Sequence, residues 1–466
     1  MPSLVTIPTE MIAEIAESLR PQDLKALSLT SRQLRHAISH ILFRTINIAC
    51  PLVSDMLLDH MLTKYGHVIS RIHLHIRLRP NLPVDEINGD ETIGDNITQM
   101  PSIWGTHRND TLLKLVRGKI FSHINSFSVR FDPSQFDRKG WFGDGGTWGG
   151  GEGIFAFRDV EDDEDWEGDA GANGNGMMLN FERMYIWRAQ YNQVFEALVT
   201  NPNITKLRFV DLLPRKASIW YSDEWDSMLR RLTHFDVSIF GAKTAHRPSN
   251  AAWYGSVVWH GNATWGFIFF ISEFQTFIGQ FLTNVKHLRL EASPVSVFGT
   301  DITFQDGGTD TFPLYAPTPA LQSLELKNIV LGIDVLFYLQ KESGTLRELT
   351  LHNCMCLITE EGEDPGWTDI LDEVSGFKML RRLNVLQDET PPLGNPLYSR
   401  LSRRARREVK RIKELAWRYV YIDFRWGTVH EDDEQNVQEL HSYHAYWKYR
   451  DLQETLKERR KNSVDE

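Results

Sequence analysis

Along most of this chain one arrangement of positions keeps returning: an apolar residue, two others, an apolar residue, one other, an apolar residue. It occurs at Ile69/Ile72/Leu74, Ile124/Phe127/Val129, Phe181/Met184/Ile186, Ile204/Leu207/Phe209, Leu232/Phe235/Val237, Val285/Leu288/Leu290, Leu321/Leu324/Leu326, Leu346/Leu349/Leu351 and Leu380/Leu383/Val385. The last three residues of each copy alternate in, out, in, which is the period of a half-buried strand. Between the copies lie stretches of helical periodicity, among them Tyr191 to Thr200, Glu224 to Arg231, Phe267 to Leu282, Asp334 to Glu342 and Asp369 to Phe377. Strand and helix therefore alternate, and an α/β class is expected. The N-terminal segment follows a different rule. Met11, Ile12, Ile15, Ala16 and Leu19 recur at helical spacing after Pro8, a residue suited to a first helical turn. Pro21 opens a second helix, with Asp23 at its positive end and Leu24 and Leu27 on one face. Ser31 can cap a third, whose apolar side is Leu34, Ala37, Ile38, Ile41 and Leu42. So small a unit carries more apolar side chains than its own core can hide, and the surplus is expected to meet a partner.

These N-terminal residues resemble an F-box. The resemblance runs over residues 4 to 46 and rests on Ile7-Pro8-Thr9-Glu10, the helix ending at Leu19, Pro21-x-Asp23-Leu24, Leu27-Ser28-Leu29-Thr30-Ser31-Arg32-x-Leu34 and Leu42-Phe43-Arg44. It implies docking on the Skp-type adaptor of a cullin-RING ubiquitin ligase, with Ile7, Pro8, Ile12, Ile15, Leu19, Leu24 and Leu27 as the adaptor-binding residues. The recurring pattern beyond it resembles the leucine-rich repeat, whose signature L-x-x-L-x-L-x-x-N/C is met to its last position by Leu346 to Cys354. The copies lie 23 to 57 residues apart, so the expected solenoid is irregular, with strands on its concave face and helices on its convex one. The expected organisation is an F-box at 1–47, a leucine-rich-repeat-like solenoid at 48–393, and a basic helix with a C-terminal cap at 394–466. Such a chain is similar to the F-box/leucine-rich-repeat receptors of fungal type. That implies a non-catalytic substrate-recognition subunit of an SCF-type ligase. A repeat scaffold without a ubiquitin role, or a nucleic-acid-associated protein using the basic helix at 400–413, are the alternatives.

Composition narrows the field. The 466 residues carry a net charge of −11, which opposes nonspecific binding to nucleic acid or anionic lipid. The most apolar stretch, Gly266 to Ile271, is broken by Ser272, Glu273 and Gln275, too soon for a membrane span. With three cysteines and no leader-like start, a cytoplasmic or nuclear location is expected. No catalytic residue, metal site or cofactor is expected. The glycines at 143–153 lack the lysine of a phosphate loop, Cys354-Met355-Cys356 has the wrong spacing for zinc, and His441 and His444 are too few to hold a metal. Two inserts depart from the pattern. Residues 143–176 are glycine-rich, with eight carboxylates between Asp159 and Asp169, and are expected to be a loop that competes with an acidic ligand. Residues 242–266 hold Trp253, Tyr254, Trp259 and Trp265, expected to cover the core.

The polar positions within the copies carry the remaining signal. The early copies present Arg71, His73, His75; Ser126, Ser128, Arg130; Arg183, Tyr185, Trp187; and Lys206, Arg208, Val210, with five Lys or Arg and no acid. The later ones set Arg289, Lys327 and Arg382 against Asp236, Glu291, Glu325 and Glu348. The early half is therefore expected to bind an acidic or phosphorylated protein segment through Arg71, Arg130, Arg183, Tyr185, Trp187, Lys206 and Arg208.

Overall fold

The computed structural model describes residues 7–52, 55–78, 102–104, 110–132, 175–184, 186–240, 265–292, 298–299, 301–304, 307–310, 312–357, 364–388, 418–423 and 428–462. Three helices come first: α1 (Thr9–Glu17), α2 (Pro21–Thr30) and α3 (Arg32–Leu42). Proline at the start of α2 and a hydrogen bond from the Gln33 N–H to the Ser31 hydroxyl at the start of α3 set their boundaries. Ile12, Ala16, Leu24, Leu34, Ala37 and Ile38 form a small core of their own.

The chain then runs through β1 (Thr45–Cys50), α4 (Asp55–Tyr65), β2 (Arg71–Ile76), α5 (Thr111–Val116), β3 (Ser126–Phe131), α6 (Asn175–Met184), α7 (Ile186–Val199), β4 (Lys206–Leu212), α8 (Asp223–Arg231), β5 (His234–Ile239), α9 (Trp265–Phe277) and β6 (His287–Glu291). A hairpin of β7 (Asp301–Phe304) and β8 (Gly307–Asp310) precedes β9 (Ser323–Lys327), α10 (Ile333–Glu342), β10 (Glu348–His352), β11 (Cys356–Leu357), α11 (Trp367–Ser375) and β12 (Arg382–Leu386). Last come β13 (Tyr419–Asp423), β14 (Thr428–Glu431), α12 (Asp433–Ser442) and α13 (His444–Asn462). Nine strands join one sheet in the order β1-β2-β3-β4-β5-β6-β9-β10-β12, and every pairing in it is parallel. Strand order follows chain order, so the sheet has no reversal point, the usual place for a ligand crevice in a parallel sheet.

This architecture corrects the expected one. The sequence pointed to a three-helix F-box followed by an irregular leucine-rich-repeat-like solenoid. The molecule is instead an α/β fold built on one nine-stranded parallel sheet, with thirteen α-helices among the described residues. Two features carry the correction. β1 leaves α3 almost at once and pairs along its whole length with β2, so the sheet begins inside the segment assigned to the N-terminal helices. The connections are also unlike one another: one helix joins β1 to β2, two helices lie between β3 and β4, and a hairpin lies between β6 and β9.

Eight of the nine expected copies do end on strands of this sheet. The exception, Phe181/Met184/Ile186, lies on α6 and α7, because its apolar spacing also fits a helix and the helical period continues through Tyr191, Val194, Phe195 and Leu198. The ninth strand, β1, carries the same spacing at Phe43, Ile46 and Ile48.

One face of the sheet is apolar and lies against helices. Ile72, Leu74, Phe127, Val129, Leu207, Phe209, Leu288, Leu290, Leu349 and Leu351 share a continuous core with Leu62 of α4, Leu115 of α5, Phe195 of α7, Trp225 of α8, Phe274 of α9, Tyr338 of α10 and Ile370 of α11. Burying each such side chain contributes about 1.5–3 kcal/mol relative to exposure, and this is what holds the layers together. At the far end α13 covers the sheet edge. The Gln453 amide donates to the Leu383 carbonyl at 2.6 Å, and Arg459 donates to the Phe377 and Ser375 carbonyls at 2.8 and 3.0 Å. The first of these meets the edge strand itself, and the Arg459 bonds fasten α13 to the end of α11. The inserts at 143–174 and 242–264 and the basic segment at 400–413 lie outside the described residues; α6 takes in Asn175 and Gly176.

Candidate functional site

The other face of the sheet is polar. Because paired strands are in register, its side chains form rows that cross the sheet. One row runs Thr45, Arg71, Ser126, Lys206, His234, His287, Ser323, Glu348, Arg382. The next runs Asn47, His73, Ser128, Arg208, Asp236, Arg289, Glu325, Thr350, Asn384. With strands ~4.8 Å apart the face is about 40 Å across.

From β5 onward its charges neutralise one another. Arg289 is the hub, donating to Asp236 at 3.2 Å, Glu291 at 2.7 Å and Glu325 at 2.8 Å. Burial works to lower its pKa, but these three carboxylates prevail and hold the guanidinium above its ordinary value. Lys327 reaches Glu291 at 3.1 Å, Arg382 reaches Glu348 at 3.1 Å, and His352 bonds Asp388 at 2.7 Å. That bond, with one from Asn353, keeps the Asp388 carboxyl below the usual range. At the start of this half His234 of β5 stacks on His287 of β6 with ring centroids 4.3 Å apart. Burial, then the proximity of His287, Lys206 and Lys286, lowers His234 to about 4.

Over β2, β3 and β4 the balance is different. Arg71, Arg130, Lys206 and Arg208 face out, and the one acid within these three strands is Asp211 near the end of β4. Arg208 pairs with Asp236 at 2.9 Å and Arg130 with Asp211 at 3.4 Å, an aspartate held at φ 55° where β4 bulges. Arg71 and Lys206 have no carboxylate within ion-pair distance among the described residues. His73 is held below its ordinary pKa by burial and then by Arg208, Arg71 and His75.

Arg71, Arg130, Lys206 and Arg208 thus lie on the polar face of three adjacent strands. The other three expected members are elsewhere. Arg183 is exposed on α6, Trp187 is 1% exposed in the core from α7, and Tyr185 lies outside the described residues. The pairing with Asp211 was not foreseen, because that residue follows the strand window in which charges were counted.

The N-terminal helices divide the expected adaptor-binding residues in two. Ile12 and Leu24 are in the small core, with Ile7, Leu19 and Leu27 partly buried against it. Pro8 and Ile15 are exposed, Ile15 at 49%, and Met11, one turn before it, is 54% exposed; Leu29 on α2 reaches 68%. Phe43, following α3, stacks on Tyr65 of α4 at 3.7 Å and joins this module to the sheet layer.

Among the described residues, no cluster of three or more His, Cys, Asp or Glu is placed to hold a metal. His441 and His444 are separated by Tyr443 in the left-handed conformation, so they lie on two helices rather than one. All three cysteines are buried; Cys354 donates to the Leu326 carbonyl at 3.2 Å, and burial raises its thiol to about 12. No described helix is long and apolar enough to cross a membrane. No protein-family model matches the chain, and no curated protein matches it.

Proposed function

We propose that this protein is a non-catalytic receptor of an SCF-type cullin-RING ubiquitin ligase. In this reading the N-terminal helices hold a Skp-type adaptor and the polar sheet face holds a protein substrate. The observation that supports it most is the surplus on the N-terminal module: its core is complete, yet Met11, Ile15 and Leu29 stand in water. Exposed apolar side chains grouped on so small a unit suit a partner's apolar surface, and the resemblance of residues 4 to 46 names the kind of partner. Catalysis then belongs to a recruited conjugating enzyme, and this chain raises the effective concentration of substrate lysines beside it.

Co-purification of the full chain with the adaptor tests the reading. Met11→Asp with Ile15→Asp places two charges on the exposed side of α1 and spares the core residues Ile12 and Ala16. The pair should abolish co-purification, since an unpaired charge in an apolar interface costs several kcal/mol, while the thermal transition stays in place. A wild-type chain that captures no adaptor, or a variant that captures it as well as wild type, contradicts the proposal.

A further inference from the structure

β1 is an open edge of the sheet. In its pairing with β2 the Arg44 carbonyl accepts from the Arg71 N–H at 3.1 Å and the Cys50 carbonyl from the Arg77 N–H at 2.8 Å, and the register between them is unbroken. A parallel ladder uses the backbone of alternate residues, so Ile46 and Ile48 are turned to β2 while the N–H and C=O groups of Thr45, Asn47 and Ala49 point away from it. Among the described residues these outward groups have no hydrogen-bond partner. The opposite edge is treated differently: α13 packs on β12, and the Gln453 amide takes up the Leu383 carbonyl. Edge strands usually carry a charge, a proline or a bulge that discourages a further strand. Thr45 to Cys50 carry none of the three.

We propose that this edge pairs with the same edge of a second copy of the chain, antiparallel about Asn47, joining two nine-stranded sheets across a two-fold axis. A two-fold contact requires a patch that complements itself, and β1 is one. With Asn47 opposite Asn47 of the second copy, Thr45 lies opposite its Ala49 and Ala49 opposite its Thr45. Every outward N–H then meets an outward C=O, and each facing pair exchanges two hydrogen bonds. Pro51 has no N–H to carry the ladder further, which leaves Asn47 at the centre of the usable stretch. The facing side chains are uncharged, so no like charges oppose one another. An axis perpendicular to the sheet keeps both apolar faces on one side, and the helix layers meet as well. The helix at that end is α4, where Met56 and Leu57 are 81% and 77% exposed; apolar surface of this kind suits a protein contact. Because α3 runs into the N-terminal end of β1 and the paired strands are antiparallel, the two N-terminal modules fall at opposite ends of the joint. The pairing is independent of the ligase reading.

Sedimentation equilibrium of the full chain over a range of concentrations tests this, with a reversible dimer as the expected result. Hydrogen exchange within β1 should be slower in the dimer than after dilution to monomer. Asn47→Pro deletes an N–H that β2 does not use, so it should leave the thermal transition in place and weaken dimerisation by about tenfold or more. Asn47→Lys and Asn47→Glu each set like charges ~5.5 Å apart at the axis and should weaken it to a similar degree. An equimolar mixture of those two variants should restore a dimer, because opposite charges then face each other. That rescue decides the matter even where the proline variant fails to fold. A chain that stays monomeric at every concentration overturns the proposal, as does a dimer that survives the single variants, or a mixture that assembles no better than its parts. Protection of β1 that arises only on adding the adaptor overturns it in favour of an adaptor contact.

Discussion

The two halves of the polar face use the same residue types to opposite ends. From β5 to β12, each strand cation reaches a carboxylate on its own or a neighbouring strand, and Arg289 alone holds three. From β2 to β4, the strands supply mainly cations and hydroxyls, and the acids that answer them are Asp211 near the end of β4 and Asp236 on β5. A closed network contributes to the fold and offers little to a ligand. Cations left without partners contribute little to the fold and keep their hydrogen-bonding capacity for something else. On the proposed reading, one half serves stability and the other recognition.

The largest expected effect separates those roles directly. Arg289→Ala removes the hub from among three half-buried carboxylates, and such uncompensated charges should cost about 2–4 kcal/mol of stability. Arg71→Ala, at an exposed position with no ion pair among the described residues, should change stability by less than about 0.5 kcal/mol. Urea denaturation of both variants checks the pair. Equal losses would dissolve the distinction between the halves.

A smaller effect lies at their border. His234 has a folded pKa of about 4, below the ordinary value near 6.5. The unfolded chain therefore binds the extra proton between those values, and stability should fall as pH drops from about 6.5 towards 4 and be unaffected above that window. The ring is partly exposed, so solvent screening limits its share to less than about 1 kcal/mol. Denaturation midpoints at pH 7.5, 6 and 5 should show a shallower decline in His234→Gln than in wild type. An unchanged slope would remove His234 as a border group.

Much of the fold was legible in the apolar spacing, because a half-buried strand repeats every second residue wherever it stands in the chain. Eight strands were found in that way. Phe181 to Ile186 was misread because six residues of mixed apolar spacing fit both periods, and only the long helix that follows decides between them. β1 was missed although Phe43, Ile46 and Ile48 carry the pattern, since Phe43 and Ile46 fall within the segment that resembles an F-box. The architecture itself was misjudged because spacing along a chain does not say how unequal connections will be filled. For the site, the sequence located the basic excess at Arg71, Arg130, Lys206 and Arg208. It could not show that Asp211 and Asp236 temper two of them, because those pairs depend on strand register and on a bulge. Nor could it show that Ile12 and Leu24 are used up in the small core while Met11 is exposed.

The central claim, that recognition belongs to β2–β4 and not to the self-neutralised strands, is tested most directly by photo-crosslinking. An acidic or phosphorylated peptide retained by the full chain would carry a photoreactive residue at its centre, and the attachment sites would be mapped by mass spectrometry. The account predicts adducts within 71–76, 126–131 and 206–212, suppressed by competing peptide. Adducts concentrated within 323–327, 348–352 and 382–386, or on the helical side of the sheet, would contradict it.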